Sequence, residues 1–139
     1  MNEGSEKVLV IPCSGIGKVH GLISRESAYL ATDEVAPDST DTVCLALLVK
    51  EDEETLARVQ AHPCITIDGC GKACAQKNVE LVGGQVVDAI QVGKVLTKHR
   101  GSQPGSGSEL TEEGWAICRE IAEAVAEEAE RIRVREEVA

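Results

Sequence analysis

Short apolar runs alternate with longer amphipathic segments along the first hundred residues. Continuous runs of aliphatic residues are typical of strands that are buried on both faces of a sheet. The pattern predicts four such strands, at residues 8–11, 42–49, 64–68 and 85–92. The second run also fits a strand that passes into a helix, because periodicity does not separate the two for a short apolar segment.

The amphipathic segments between these runs predict helices. The first helix is expected to start near Val19 or Leu22 and to end at Val35, and the next two cover residues 51–61 and 72–81. Strands that alternate with helices at this spacing form right-handed βαβ units with parallel strands. The predicted fold is therefore a small Rossmann-like three-layer α/β domain with a mostly parallel four-stranded sheet.

The chain after residue 100 predicts a linker and a C-terminal helix. Residues 101–110 are rich in Gly and Ser, which is typical of a flexible linker. Residues 111–139 predict an acidic amphipathic helix with Thr111 as its N-cap. The apolar stripe of this helix contains Trp115, Cys118, Ala122, Val125, Ala129 and Ile132. We expect the stripe to pack on an α/β domain formed by residues 1–100, and helix pairing in a homodimer is the alternative.

Charge and composition argue against several classes of partner. The formal net charge is −10 and aromatic residues make up 1% of the chain. Nucleic-acid-binding proteins need a basic surface and, for single strands, stacking aromatics, so we expect no nucleic-acid partner. No apolar run has the length of a membrane span, and the polar N-terminus does not resemble a signal peptide. We therefore expect a cytoplasmic protein that does not bind membranes.

Six cysteines are unusual in a chain with these features. Disulfides are rare in the cytoplasm, so clustered cysteines there indicate metal ligands or redox groups. Cys13 follows the first predicted strand and Cys70 follows the third, and parallel neighbouring strands end at the same edge of a sheet. If the next helix begins near Cys70, Cys74 lies four residues away on the same helix face. These sulfurs are candidates to bind one metal ion, with zinc favoured.

Spacing does not decide the fourth ligand. Cys44 lies within an apolar run, a pattern equally compatible with core packing and with metal ligation. His20, in the region after Cys13, is the best substitute. Cys64 starts a strand at the opposite end of the sheet and Cys118 lies on the apolar stripe of the last helix. We expect both of these cysteines to be packed in the core.

The residues around the two cysteine turns are suited to a thiolate site. Turns at residues 13–18 and 70–72 are rich in glycine and end in Lys18 and Lys72. Backbone N–H groups and cations at these positions would offset the negative charge of bound thiolates. Asp68 ends the third strand, and we expect it to cap the following helix rather than to act as a catalytic acid.

Several sequence blocks resemble those of a known family. In chain order they are Pro12-Cys13-Ser14-Gly15, Cys44-Leu45-Ala46, Ile67-Asp68-Gly69-Cys70, Cys74-Ala75-Gln76-Lys77 and Val92-Gly93-Lys94. Over about residues 7–98 the chain resembles the DGC-domain zinc-binding proteins, which are named after the Asp-Gly-Cys motif. The resemblance implies one zinc ion and four chelating cysteines, which correspond to Cys13, Cys44, Cys70 and Cys74. The linker and the acidic helix lie outside this resemblance.

Three functional interpretations remain open, and a non-enzymatic zinc protein is the favoured one. A metal held by four thiolates has no open coordination position, which favours a structural, sensor or carrier role over hydrolysis. A Cys13-dependent thiol enzyme would need an Arg six residues on to bind an oxyanion, and that position is Val19. The same thiolates could instead serve thiol redox chemistry, sulfur transfer or an iron–sulfur cluster.

Overall fold

A sheet of four parallel strands forms the centre of the molecule. The structure is a computed structural model that describes residues 7–13, 18–69 and 71–138, with side chains up to residue 134. The strands are β1 (Val8–Pro12), β2 (Thr40–Thr42), β3 (Pro63–Asp68) and β4 (Gln85–Gln91). They are arranged in the order β2-β1-β3-β4. The predicted parallel four-stranded sheet is confirmed.

Helices cover both faces of this sheet. In the described part of the chain they are α1 (Val19–Leu30), α2 (Leu45–Val49), α3 (Glu53–Ala61), α4 (Cys74–Leu81), α5 (Val92–Thr97) and α6 (Glu112–Val138). Helix α1 continues directly into a π-helical turn (Ala31–Val35). Helices α1, α5 and α6 pack on one face, whereas α2, α3 and α4 pack on the other. The three-layer α/β prediction is therefore correct.

The side chains of β1 explain why an uninterrupted apolar run forms a central strand. Val8 and Val10 belong to the core with α1 and α6, whereas Leu9 and Ile11 belong to the core with α3 and α4. Successive side chains of a strand point to opposite faces, so all four are buried. An unpaired polar side chain at any of these positions would lose its hydration without compensation.

The second strand is shorter than its apolar run predicts. Strand β2 ends at Thr42, and most of the apolar residues that follow form the short helix α2. Leu45 and Leu48 are three residues apart and buried, whereas Leu47 between them is exposed. The interpretation as a strand that passes into a helix is correct. Only residues 40–42 pair with β1, whereas Leu45 and Leu48 are buried as parts of a helix in the core with α3 and α4.

The fourth strand also ends earlier than predicted. The apolar pattern extends it to Val92, but β4 ends at Gln91 and Val92 begins helix α5, which the pattern does not predict. Val92 is fully buried in the core with α1 and α6. An apolar residue at the end of a strand and one at the start of an inward-facing helix look the same in sequence.

Residues 101–110 form a loop that is hydrogen-bonded to the start of α6. The backbone N–H of Thr111 donates to the carbonyl of Pro104 at 2.9 Å, and the Thr111 hydroxyl donates to the carbonyl of Gln103 at 2.5 Å. The N–H of Gln103 donates in turn to Glu113 at 2.8 Å. These bonds join Gln103 and Pro104 to the start of α6, and the flexibility of the segment stays a prediction.

Helix α6 packs on the domain through most of its predicted stripe. Cys118, Ala122, Val125, Ala129 and Ile132 are buried in the core that α1 also enters. Trp115 is 44% exposed, so its predicted burial is wrong. Ile117 and Ile121 are buried instead, which rotates the buried stripe away from Trp115. As predicted, the Thr111 hydroxyl caps the helix by accepting the N–H of Gly114 at 3.2 Å.

None of the described helices combines the length and the apolar composition that crossing a bilayer requires.

Candidate metal centre

The strand order brings three cysteine positions to adjacent strand ends. Strand β1 lies between β2 and β3, and all three run in the same direction. Cys13 follows β1 directly, Cys44 lies two residues beyond β2, and position 70 lies two residues beyond β3. The helices that follow the neighbouring strands β1 and β3 lie on opposite faces of the sheet, and ligands of open α/β sheets bind at such switch points. Cys70 itself, like residues 14–17, lies outside the described residues.

The sulfur of Cys13 contacts the backbone that leads into Cys70. Its Sγ atom accepts a hydrogen bond from the N–H of Gly69 at 3.1 Å. The Cys13 residue is only 8% exposed. Its own N–H donates to the carbonyl of Ile67 at 2.9 Å, which continues the pairing of β1 with β3. The end of β1 and the Asp-Gly-Cys segment are thus in direct contact.

A buried serine of α1 holds these two strand ends together. The hydroxyl of Ser24 accepts the N–H of Cys13 at 3.2 Å and donates to the carbonyl of Ile67 at 2.7 Å. Ser24 is fully buried. Sequence reasoning missed this residue, although a serine that follows Leu22 and Ile23 on the inward face of a helix is a usable signal. Buried hydroxyls nearly always have a partner, and here the partners lie beside the candidate site.

Asp68 and Gly69 of the Asp-Gly-Cys motif each have a structural role. The buried Asp68 carboxylate accepts the N–H groups of Ala75 at 2.7 Å and Gln76 at 3.1 Å, in the first turn of α4. It caps α4 as expected, because the N-cap residue Ala73 has no polar side chain. A β-carbon at Gly69 would lie 3.0 Å from the carbonyl carbon of His20. The motif therefore packs directly against the first turn of α1.

Cys44 and Cys74 lie at the start of two helices that pack on the same face of the sheet. Cys44 is the N-cap residue of α2, Cys74 is the first residue of α4, and both are exposed. Cys13 and Cys44 line one cleft of about 210 Å³. Residues next to Cys44 and Cys74 belong to the same apolar cluster as Cys13. They are Val43 and Leu45, on either side of Cys44, and Ala75, which follows Cys74.

The described part of the chain does not contain an assembled metal site. Within residues 7–13, 18–69 and 71–138, no three His, Cys, Asp or Glu side chains are grouped closely enough to hold a metal ion. Cys13, Cys44 and Cys74 all belong to the described residues, so these three candidate ligands are not gathered around one point. Cys70 lies outside the described residues and follows Gly69, whose N–H donates to the Cys13 sulfur. Cysteine sulfur is a preferred ligand of zinc, and a backbone N–H directed at a sulfur is a typical outer contact of a metal-bound thiolate. The contact between Gly69 and Cys13 is of this kind, whereas Cys44 and Cys74 would have to move closer to Cys13 for all of them to bind one ion.

Two of the three histidines have partners away from this edge. The Nδ1 atom of His62 lies 3.1 Å from the carbonyl oxygen of Lys7, and the Nε2 atom of His99 lies 2.8 Å from Glu120. His20 lies in the first turn of α1, where its backbone faces Gly69. His20 is therefore the histidine that the fold brings near the site, as the sequence predicts.

Cys64 and Cys118 are core residues, as predicted. Both are fully buried, and burial raises the pKa of each thiol to about 11. The Cys64 Sγ atom donates to the carbonyl of His62 at 3.4 Å, and that of Cys118 donates to the carbonyl of Ile23 at 3.8 Å. A thiol that stays protonated at neutral pH is a poor metal ligand and a poor nucleophile.

Comparison with known proteins places the chain in a family. No curated protein and no solved structure gives a significant match. The family model of the DGC domain matches residues 9–132. The match extends beyond the blocks that carry the resemblance in sequence, and it includes residues 101–110 and most of α6. The α/β domain, its hydrogen-bonded loop and its last helix are thus covered by one family model, and the chain belongs to the DGC domain family.

Proposed function

We propose that this protein binds one zinc ion through the thiolates of Cys13, Cys44, Cys70 and Cys74. The observation that carries the proposal is the position of the Cys13 sulfur. It accepts the N–H of Gly69, the residue before Cys70, and it lies on the wall of a cleft that Cys44 shares. Two sequence-distant candidate ligands therefore line one cleft, and the residue before a third donates a hydrogen bond to one of them.

The chemistry of four thiolates argues for a non-hydrolytic role. Zinc binds four cysteine sulfurs tetrahedrally, at about 2.3 Å each, and such a site has no open position for water or substrate. Zinc bound at this site would join the end of β1 to the starts of α2 and α4. The chain's own contribution is to hold Cys13 rigidly through Ser24 and Gly69.

Unequal exposure of the candidate ligands favours an exchangeable metal. Cys13 is almost buried, whereas Cys44 and Cys74 are exposed. A purely structural zinc site is usually enclosed, because its metal is retained for the lifetime of the fold. Two ligands open to solvent instead suit a sensor or a carrier, from which a competing thiol can remove the ion.

Metal analysis of the purified protein tests the proposal. We expect about one zinc per chain after anaerobic purification, measured by inductively coupled plasma mass spectrometry. Cys44→Ala and Cys74→Ala are expected to reduce the bound metal, whereas the matched control Cys118→Ala is expected to retain it. A folded, metal-free protein that does not take up added zinc would refute the proposal.

An absorption spectrum of the same sample separates zinc from the alternative iron–sulfur cluster. Zinc thiolates are colourless, whereas an iron–sulfur cluster on the same four cysteines gives a brown protein with visible charge-transfer bands. Cobalt(II) substitution provides a further check. Intense sulfur-to-cobalt bands that disappear in Cys44→Ala are the expected result for thiolate ligation.

A further inference from the structure

The single tryptophan of the chain lies on the outside of helix α6. Trp115 is 44% exposed, whereas Cys118 and Ala122 of the apolar stripe are fully buried. The domain core therefore packs against another face of this helix. Tryptophan is enriched at protein–protein interfaces, where it is a frequent hot spot of binding energy. The face of α6 that carries Trp115 is thus a candidate contact surface.

An open groove lies near the other end of the same helix. Its volume is about 440 Å³, and its walls are formed by Glu127, Glu130, Arg131 and Val134. Val134 is 49% exposed, so an apolar surface is open to solvent there. Arg131 forms an ion pair with Glu128, which holds its guanidinium at the helix surface. An aliphatic side chain beside a guanidinium suits the face of an aromatic ring, because the ring attracts the cation.

Trp115 and the groove lie on one face of α6. An α-helix has about 3.6 residues per turn, so residues three or four positions apart share a face. Steps of four, four, three, four and four positions lead from Trp115 to Val134. Every residue reached in this way is exposed or partly exposed. These residues form the exposed stripe, which consists of Trp115, Arg119, Glu123, Ala126, Glu130 and Val134.

The exposed stripe is complementary to itself in the antiparallel direction. With a two-fold axis at the middle of the stripe, Trp115 of one copy lies opposite Val134 of the other copy. The same register places Arg119 opposite Glu130. Two-fold symmetry forms each of these contacts twice. One register thus pairs the apolar side chains at the two ends of the stripe and the opposite charges between them.

Charge within the contact is needed to bring two such copies together. The formal net charge is −10, so two copies repel each other before they touch. Arg119 forms an exposed ion pair with Glu34 at 3.4 Å. Its guanidinium has five N–H donors, so it can bind a carboxylate of a second copy while it keeps this partner. The Arg119–Glu130 pairs would therefore offset part of the repulsion where the copies meet.

We propose that a second copy of this chain binds to the exposed stripe, so that two α6 helices pair antiparallel and each Trp115 enters the groove of the other copy. The apolar stripe of α6 stays in the domain core in this arrangement. The pairing does not depend on a bound metal.

Sedimentation of the full chain at several protein concentrations tests the proposal. A thiol reductant prevents dimers that the exposed cysteines Cys44 and Cys74 could form through disulfides. We expect a monomer–dimer equilibrium for the wild type. Trp115→Ala should raise the dissociation constant by at least about 30-fold, which is the loss typical of a hot spot.

Charge reversal tests the register of the two helices. Arg119→Glu and Glu130→Arg each place like charges opposite one another, and each should raise the dissociation constant by at least about 10-fold. The double variant Arg119→Glu/Glu130→Arg restores opposite charges and should dimerise again. Glu130→Arg leaves the ion pair of Arg119 with Glu34 intact, so its effect does not come from that contact. Ala124→Lys, at an exposed position outside the stripe, is the matched control and should behave like wild type.

Fluorescence of the single tryptophan provides a second measurement. Its emission should move to shorter wavelengths as the wild type dimerises, because Trp115 then leaves water, and the shift should be absent in Glu130→Arg. Circular dichroism checks that each variant folds. A wild type that stays monomeric at every concentration would overturn the proposal. A dimer that neither Trp115→Ala nor Glu130→Arg weakens would also overturn it, because another surface would then form the contact.

Discussion

The N–H of Gly69 donates a hydrogen bond to the sulfur of Cys13 at 3.1 Å, across 56 positions of sequence. The bond joins the ends of the two central strands, β1 and β3. It exists because Ser24 and Ile67 hold these strand ends in contact and because Gly69 has no side chain to separate them from α1. The geometry of the candidate metal site depends on this contact.

Substitution of Gly69 is expected to disturb both the fold and the site. In Gly69→Ala the new β-carbon would lie 3.0 Å from the carbonyl carbon of His20 and 3.1 Å from the amide nitrogen of Gly21. Backbone atoms cannot move aside easily, so the strand end must shift. We expect a loss of about 1–3 kcal/mol in the free energy of unfolding, measured with urea, and weaker zinc binding.

Gly71→Ala is the matched control for this substitution. A β-carbon at Gly71 has no neighbour within 4 Å among the described residues. Its stability and zinc affinity should therefore remain close to those of the wild type. If the two variants behaved alike, the close approach of Gly69 to α1 would have no energetic consequence.

Removal of the Ser24 hydroxyl is expected to loosen the Cys13 strand end. Ser24→Ala leaves the fold without a buried bridge between Cys13 and Ile67, and a buried hydrogen bond contributes about 1 kcal/mol. We expect lower stability and lower zinc affinity together. Equilibrium unfolding and chelator competition measure the two quantities.

Thr66→Val is the control for Ser24→Ala, because it removes a buried hydroxyl that makes no hydrogen bond to the described residues. The Thr66 hydroxyl is buried in β3 and has no hydrogen-bond partner among the described residues. Replacing it by a methyl group of similar shape should therefore maintain or raise the free energy of unfolding. A marked loss of stability in Thr66→Val would show that removal of any buried hydroxyl in this region is destabilising.

The carboxylate of Asp88 is expected to reduce stability at neutral pH. Burial on β4, and secondarily the charge of Glu128, raises the pKa of Asp88. The folded state therefore holds this proton at pH values where the unfolded state has released it, so stability falls as pH rises above about 4. Asp88→Asn should be more stable than wild type at pH 7, by less than about 1 kcal/mol because the group is partly exposed.

Thermal unfolding of Asp88→Asn across pH checks this sign. The advantage of the variant should disappear as the pH is lowered below about 4, where the wild-type carboxyl is protonated in both states. A wild-type protein that is more stable than Asp88→Asn at pH 7 would mean that the attraction of Arg131 exceeds the cost of burial.

Removal of the metal is expected to lower the melting temperature. A ligand present at 1,000 times its dissociation constant stabilises the folded state by about 4 kcal/mol. For a chain of this length that corresponds to a shift on the order of 10 °C. Differential scanning calorimetry with and without a chelator measures this shift in melting temperature. Cys44→Ala should respond less to the chelator, and an unchanged wild-type melting temperature would contradict zinc binding.

The docking of the loop on α6 depends on a glycine. A β-carbon at Gly114 would lie 2.2 Å from the carbonyl oxygen of Pro104, so Gly114→Ala must displace the loop. We expect a loss of about 1–3 kcal/mol in the free energy of unfolding. Gly93→Ala in α5, where the described structure leaves the β-carbon free of contacts within 4 Å, should be neutral or stabilising.

Local sequence patterns were sufficient for the layers of the fold and for part of the site. Apolar runs predict the buried strands because a strand covered on both faces tolerates no unpaired polar side chain. Strand–helix alternation then implies parallel strands, so Cys13 and Cys70 follow strands that end at the same edge of the sheet, whereas the structure shows that β1 and β3 are neighbours. The capping role of Asp68 follows in the same way, since it lies between a strand and a helix.

Contacts between distant segments decided the remainder. A short apolar run fits either a strand or a helix, and here only residues 40–42 pair with β1 while Leu45 and Leu48 pack as a helix in the core with α3 and α4. The bridge made by Ser24, the approach of Gly69 to His20 and the cleft shared by Cys13 and Arg25 all depend on where α1 crosses the strand ends. That crossing is set by packing of the whole core, which no local pattern encodes.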